Sequence, residues 1–151
     1  MANKMDNKKA PKKMTRDEIF EFMRKNRTFA LATSEDNKPH VRTMMLYRVD
    51  ENGIIFTTGE NKDVNRQLTA NPMVEMCFYS PQENKQVRIN GTVEVIENLE
   101  LKKEIVRNYP FLQEWVDSVG YDVLVVYCLK GGKAFAWSME TNFSPKKYID
   151  L

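Results

Sequence analysis

The sequence predicts a mainly β domain whose strands are mostly antiparallel and close into a barrel, with helices packed outside. Three observations carry that expectation. Short runs rich in Val, Ile, Thr and aromatic residues recur along the chain, bounded by turn residues. Neighbouring runs are joined mainly by short turns, which antiparallel pairing allows. Residues 123–129, "VLVVYCL", are apolar on both alternating faces, as in a barrel strand covered on its outer side as well.

The elements follow in order. Residues 1–13, "MANKMDNKKAPKK", are basic and are expected to form a flexible tail, leaving 14–151 as one domain. "TRDEIFEFMRKN" opens on a capping box, Thr15 and Glu18, and Ile19, Phe22 and Met23 then give a one-faced helix. "TFALATS" (28–34) is a short strand and "EDNKP" a turn. "HVRTMMLYRV" (40–49) and "GIIFTT" (53–58) form a hairpin through "DENG". "NKDVNRQLTA" is a short helix burying Val64 and Leu68, stopped by Asn71-Pro72. Two strands follow, 73–80 and 85–96. Helical "LELKKEIVRNY" and "PFLQEWVDSV" divide at Pro110 and end at Gly120. A last hairpin turns on Gly131-Gly132. The total is about seven strands and four helices.

Composition excludes several classes. No run of eighteen apolar residues exists and no apolar segment follows the basic start, so neither a membrane helix nor a secretory signal is expected. A net charge of +2, much of it in the tail, is too small to argue for a nucleic-acid partner by itself, and none is expected. Cys77 and Cys128 lie far apart in strand-like runs without metal-ligand spacing, and suit buried thiols in the cytoplasm. His40 is the only histidine, so no metal site is expected. Glycine-rich nucleotide fingerprints are missing.

The hairpin carries the chemistry. Arg42, Met44 and Leu46 share one strand face. A two-residue turn at Asn52 and Gly53 sets Arg48 opposite Thr57; a four-residue turn over 50–53 sets Leu46 opposite Thr57. Either frame places Arg42 on the face of Thr57, beside the helix that begins near Asn61 and Lys62. A helix N-terminus with Lys62, Arg42 and the hydroxyl of Thr57 or Thr58 makes a phosphate-sized anion site. Asp63, in the same first turn, must then point away. The competing reading is a surface cluster, with Asn61 as N-cap and Arg42 paired to Asp63.

"FALATS" then "KPHVRTM", "IIFTTGENKDVNRQLTANPMVEMCF" and "KQVRINGTVEV" occur in an order and spacing that resemble the pyridoxamine 5′-phosphate oxidase-like flavoproteins, the FMN-binding split β-barrel family. The resemblance covers about residues 15–137. It implies that Arg42 and Lys62 hold the phosphate of FMN, that Thr43 and Met44 line the flavin ring, and that Thr57 and Thr58 contribute from the strand end. It further implies a homodimer with the flavin at the subunit interface, Gln86 and Trp137 coming from the other subunit. The implied activity is an FMN-dependent oxidoreductase acting on a small molecule; no residue is singled out as catalytic. A non-catalytic flavin carrier or redox sensor, or a true pyridoxamine 5′-phosphate oxidase, are the alternatives, and a deazaflavin or haem fits the same family pattern. The vitamin B6 oxidases carry an Arg-x-His pair near the C-terminus that "WSMETNFSPKKYIDL" lacks.

Overall fold

The computed structural model describes residues 12–151, so all of the expected basic tail except Lys12 and Lys13 lies outside the described residues. Helix α1 (Arg16–Lys25) starts where the Thr15 hydroxyl accepts from the Glu18 N–H at 3.2 Å, the capping bond expected from sequence. It sinks Ile19, Phe20, Phe22 and Met23 into the main core. Strands β1 (Thr28–Glu35) and β2 (Lys38–Met45) form one hairpin, and β3 (Arg48–Asp50) and β4 (Gly53–Gly59) a second. Helix α2 (Asp63–Ala70) leads to β5 (Met73–Ser80) and the long β6 (Lys85–Val95). Helices α3 (Leu99–Asn108) and α4 (Gln113–Val119) flank a 3-10 turn at Pro110–Leu112. A second 3-10 turn, Tyr121–Val123, leads to β7 (Leu124–Leu129), then β8 (Lys133–Trp137) and a two-residue β9 (Ile149–Asp150).

Every strand pair is antiparallel, in the order β2-β1-β5-β6-β7-β4-β3, with β8 on β6 and β9 on β8. The length of β6 splits the barrel. Its Gln86–Asn90 stretch pairs with β8, while Val93–Val95 pairs with β7. One strand thus serves two sheet halves.

Two cores result. Inside the barrel, Phe29, Leu31, Ile54, Phe56, Met76, Phe78, Val87, Ile89, Tyr127 and Leu129 pack with α1 and with Val64 and Leu68 of α2. On the opposite face of β4 and β7, Ile55, Val126 and Cys128 pack against Ile105 and Val106 of α3 and Val116 of α4. The two-sided apolar character of residues 123–129 is the mark of this double duty.

The expected 40–49 strand is two strands, a correction with consequences for the site. The chain breaks at Leu46–Tyr47, where Arg27 clamps both carbonyls through Nη2, at 2.7 and 3.1 Å. Leu46 drops into the barrel core, whereas the next residue, Tyr47, joins the helix-side core. Val49, three residues on from Leu46, faces the barrel core again, so the period-two alternation slips by one across the break. β2 then pairs with β1 rather than β4.

The β3–β4 frame, Val49 opposite Ile54, is that of the four-residue alternative, with Asp50 and Gly53 also paired and Glu51-Asn52 as the loop. Gly53 has φ +127°, and a Cβ there would lie 2.5 Å from Cys128 Sγ and 2.7 Å from the Leu129 carbonyl. Gly53→Ala is expected to destabilise the fold by about 1–3 kcal/mol. A denaturant midpoint unchanged from the parent would show that the turn relaxes freely.

Candidate cofactor site

The site begins with an arginine that the fold aims inward. Arg42 pairs across β1–β2 with Leu31, a core residue, so its side chain leaves on the barrel-interior face at the end covered by α2. There Nη1–H donates to the Leu31 carbonyl at 3.2 Å and to Thr33 Oγ1 at 2.8 Å, and Nη2–H donates to Gln67 Oε1. The Thr33 hydroxyl donates to the same Gln67 oxygen at 2.6 Å. Thr33 and Gln67 are 4% and 3% exposed, which makes this a closed, satisfied polar network at the edge of the core.

The network fixes the guanidinium. Thr33 and Gln67 take the end of the fork. One of five N–H groups remains on Nη2 and another on Nε. These form the fork's side edge, the pair that grips a phosphate or carboxylate bidentately. Among the described residues neither has a recorded partner. Burial pushes the Arg42 pKa down and the nearby Asp63 carboxylate opposes that shift. Arginine's ordinary value is high enough that the charge persists.

Gln67 lies four residues, about one turn, along α2 from Asp63. Arg42 is therefore held within about a turn of the helix N-terminus, where backbone N–H groups have no intrahelical acceptor. Lys62, not Asn61, is the N-cap residue, and its side chain does not cap the helix. Its ammonium sits 5.9 Å from the Trp115 ring centroid and, among the described residues, joins no salt bridge. Asp63 pairs with Arg66 at 2.8 Å, so Arg42 is bonded to Gln67 and Thr33 instead of to Asp63.

The two threonines separate. Thr57 pairs with Val126 and follows Ile55 onto the helix-side face, while Thr58 shares the barrel face of Phe56. The expected common face of Arg42 and Thr57 is corrected by the break at Leu46–Tyr47. Met44 faces the barrel core and Thr43 the opposite face, opposite Ala30. Gln86 and Trp137 are cross-strand partners on that same outer face of the sheet, half-buried. Trp137 Nε1–H donates to Asn142 Oδ1 at 2.9 Å.

Thr33 and Gln67 were missed as site residues. Their signal is position: Gln67 falls at i+3 from Val64 on the buried face of α2, and Thr33 alternates with Phe29 and Leu31. A polar side chain at a core position needs a partner, and here the partner is Arg42.

The strand order, the two-core arrangement and the arginine-bearing barrel end are those of a split β-barrel. The chain belongs to the pyridoxamine 5′-phosphate oxidase family, whose model matches residues 15–125. Among curated relatives, pyridoxine-5′-phosphate oxidase of Dictyostelium discoideum is 41% identical over 76 residues, 50% of this chain and 33% of that protein. The matched segment thus spans about a third of that relative's length. A NimC/NimA family protein from Clostridium acetobutylicum superposes with a TM-score of 0.72 at 20% identity, covering 89% of this chain and 92% of the other. A pyridoxamine 5′-phosphate oxidase-related, FMN-binding protein from Nostoc punctiforme gives 0.62 at 15% identity, covering 93% and 99%. These structural likenesses establish the fold. Among the described residues no helix is long and apolar enough to cross a membrane, and no cluster of metal-binding side chains occurs.

Proposed function

We propose that this protein binds FMN and works as a homodimeric flavin-dependent oxidoreductase on a small molecule. The observation that carries the proposal is the Arg42 fork. Thr33 and Gln67 hold it rigidly and it lies within about a turn of the α2 N-terminus, where Lys62 is the N-cap residue; among the described residues its side edge is free and Lys62 joins no salt bridge. A phosphate monoester matches that arrangement in charge and size. Arg42, Lys62 and the first N–H groups of α2 would hold the phosphate. Thr58 and Met44 would line the approach, and Thr43 would meet the ring. Bound flavin supplies hydride or electron transfer, so the protein needs no acid–base pair of its own.

Spacing favours two subunits. Arg42 on β2 and Trp137 on β8 are four strand steps apart in one sheet, about 19 Å. Gln86 and Trp137 also face away from the barrel interior that Arg42 enters. Such residues meet one flavin more readily when the second pair comes from a partner chain. The outer sheet face also carries exposed Val41 and Met45, apolar area that suits a subunit interface. Free Cys77 and Cys128 are compatible with a reducing cytoplasm.

The test is a titration. Purified protein stripped of small molecules is expected to take up one FMN per chain, with riboflavin binding more weakly for want of the phosphate. Sedimentation of the loaded protein at low concentration should give a dimer. Equal affinity for FMN and riboflavin, or a monomer that keeps its flavin, would remove the phosphate site or the interface respectively.

A further inference from the structure

A cavity of about 740 Å³ lies away from Arg42, against β8 and the loop that follows it. Its size is that of a small-molecule site. Phe135, Ala136 and Trp137 of β8 line it, so one wall is aromatic. Lys12, Lys13, Lys85 and Lys147 line it as well, against the two carboxylates Glu83 and Glu140. Among the described residues none of these four lysines enters a salt bridge, whereas Lys103, Lys130 and Lys133 elsewhere all do. Among the described residues Lys13 donates only to the Tyr148 carbonyl, at 3.1 Å.

The wall is held in place. Trp137 is tied to Asn142, and the Ser138 N–H donates to Thr141 Oγ1 at 3.0 Å, which folds the loop back beside the strand. Phe135 has Lys146 at 5.4 Å and Arg88 at 6.0 Å from its ring centroid. An aromatic wall rewards a flat apolar body, and an excess of unpaired ammonium groups rewards negative charge. A hydrophobic cation gains the first and loses the second.

We infer that the cavity formed by β8, the loop after it and the lysine-bearing segment before α1 binds small planar anions, aromatic carboxylates being the fitting class. As the substrate pocket of an oxidoreductase it rests on the flavin proposal above. Trp137 would then stand between the ligand and a flavin held by the partner chain. As a binding site it rests on the cavity alone.

The experiment separates the two. Calorimetric titration of the full-length protein uses three probes of one shape: 2-naphthoate, the neutral 2-naphthalenemethanol and the cationic 2-naphthylmethylamine. Naphthoate should saturate at one per chain and bind about tenfold tighter than the alcohol, with the amine weakest. Lys85→Gln and Lys147→Gln together should lower naphthoate affinity at least about fivefold. The alcohol should bind them as before, which also reports that the variant is folded. Arg42→Ala, impaired for FMN, should keep naphthoate binding. A protein that binds naphthoate but never FMN keeps the cavity and discards the flavin reading. No saturable naphthoate binding, equal affinity for all three probes, or indifference to the lysine replacements overturns the inference, whatever FMN does.

Discussion

Arg42→Ala is expected to weaken FMN binding about 10- to 100-fold, the loss of roughly 1.5–3 kcal/mol that goes with a charge-assisted hydrogen bond to phosphate. The same replacement should leave riboflavin affinity close to the parental value, because only the phosphate meets the fork. A second cost is built into the fold. Thr33 and Gln67 are buried and lean on Arg42 for part of their hydrogen bonding. Removing it strands polar groups, a loss of about 1–3 kcal/mol of stability. FMN affinity and denaturant midpoint must therefore be measured on the same preparations. Arg42→Lys restores charge without the planar fork and should recover only part of either quantity. FMN binding at parental affinity by a folded Arg42→Ala protein would sink the phosphate site.

Lys62→Ala should act differently. Lys62 is exposed and its side chain makes no hydrogen bond among the described residues, so its loss should lower FMN affinity with little change in stability. A matched drop in both would mean that Lys62 packing on Trp115 and Gly59 matters more than its charge.

The barrel was legible in the sequence because period-two alternation and turn chemistry agree along most of the chain. Thr15, Pro110 and Gly120 punctuate the helices where expected. The break at Leu46–Tyr47 was not legible. No Gly or Pro marks it, and the force that makes it is a distant side chain, Arg27, reaching two carbonyls. One unseen phase shift was enough to put Thr57 on the wrong side of the sheet from Arg42. The membership of Arg42 in a site could be read from its neighbours in sequence. The reason its guanidinium points one way could not, since Thr33 and Gln67 lie 9 and 25 residues from it. The lysine-lined cavity was equally hidden, because it assembles from the segment before α1, the β5–β6 loop and the C-terminal loop.

Phe29→Ala should be among the most damaging single replacements, lowering stability by about 3–5 kcal/mol. Phe29 is 1% exposed and sits mid-chain in a row of rings. It stacks on Phe78 with centroids 4.8 Å apart and meets Phe56 edge-on at 5.9 Å; Phe56 in turn stacks on Tyr127 at 5.6 Å. The row crosses from β5 through β1 to β4 and β7, so it joins both halves of the split sheet through the barrel interior. Its last member reaches the site: the Tyr127 hydroxyl donates to Asn65 Oδ1 of α2 at 2.5 Å. Removing the central ring forfeits its apolar burial and leaves a cavity that neighbours on three strands cannot collapse into together. Against a typical total of about 5–15 kcal/mol, that loss brings the domain near its unfolding threshold. Val41→Ala, on the outer face of β2, should change the unfolding free energy of the isolated subunit, read by urea titration, by less than about 0.5 kcal/mol. A Phe29→Ala cost below about 1 kcal/mol would mean that the two sheet halves are held by their β6 pairing and not by the rings. In that event α2, and with it the Arg42 fork, would be positioned by Val64, Leu68 and Gln67 with little help from the ring row.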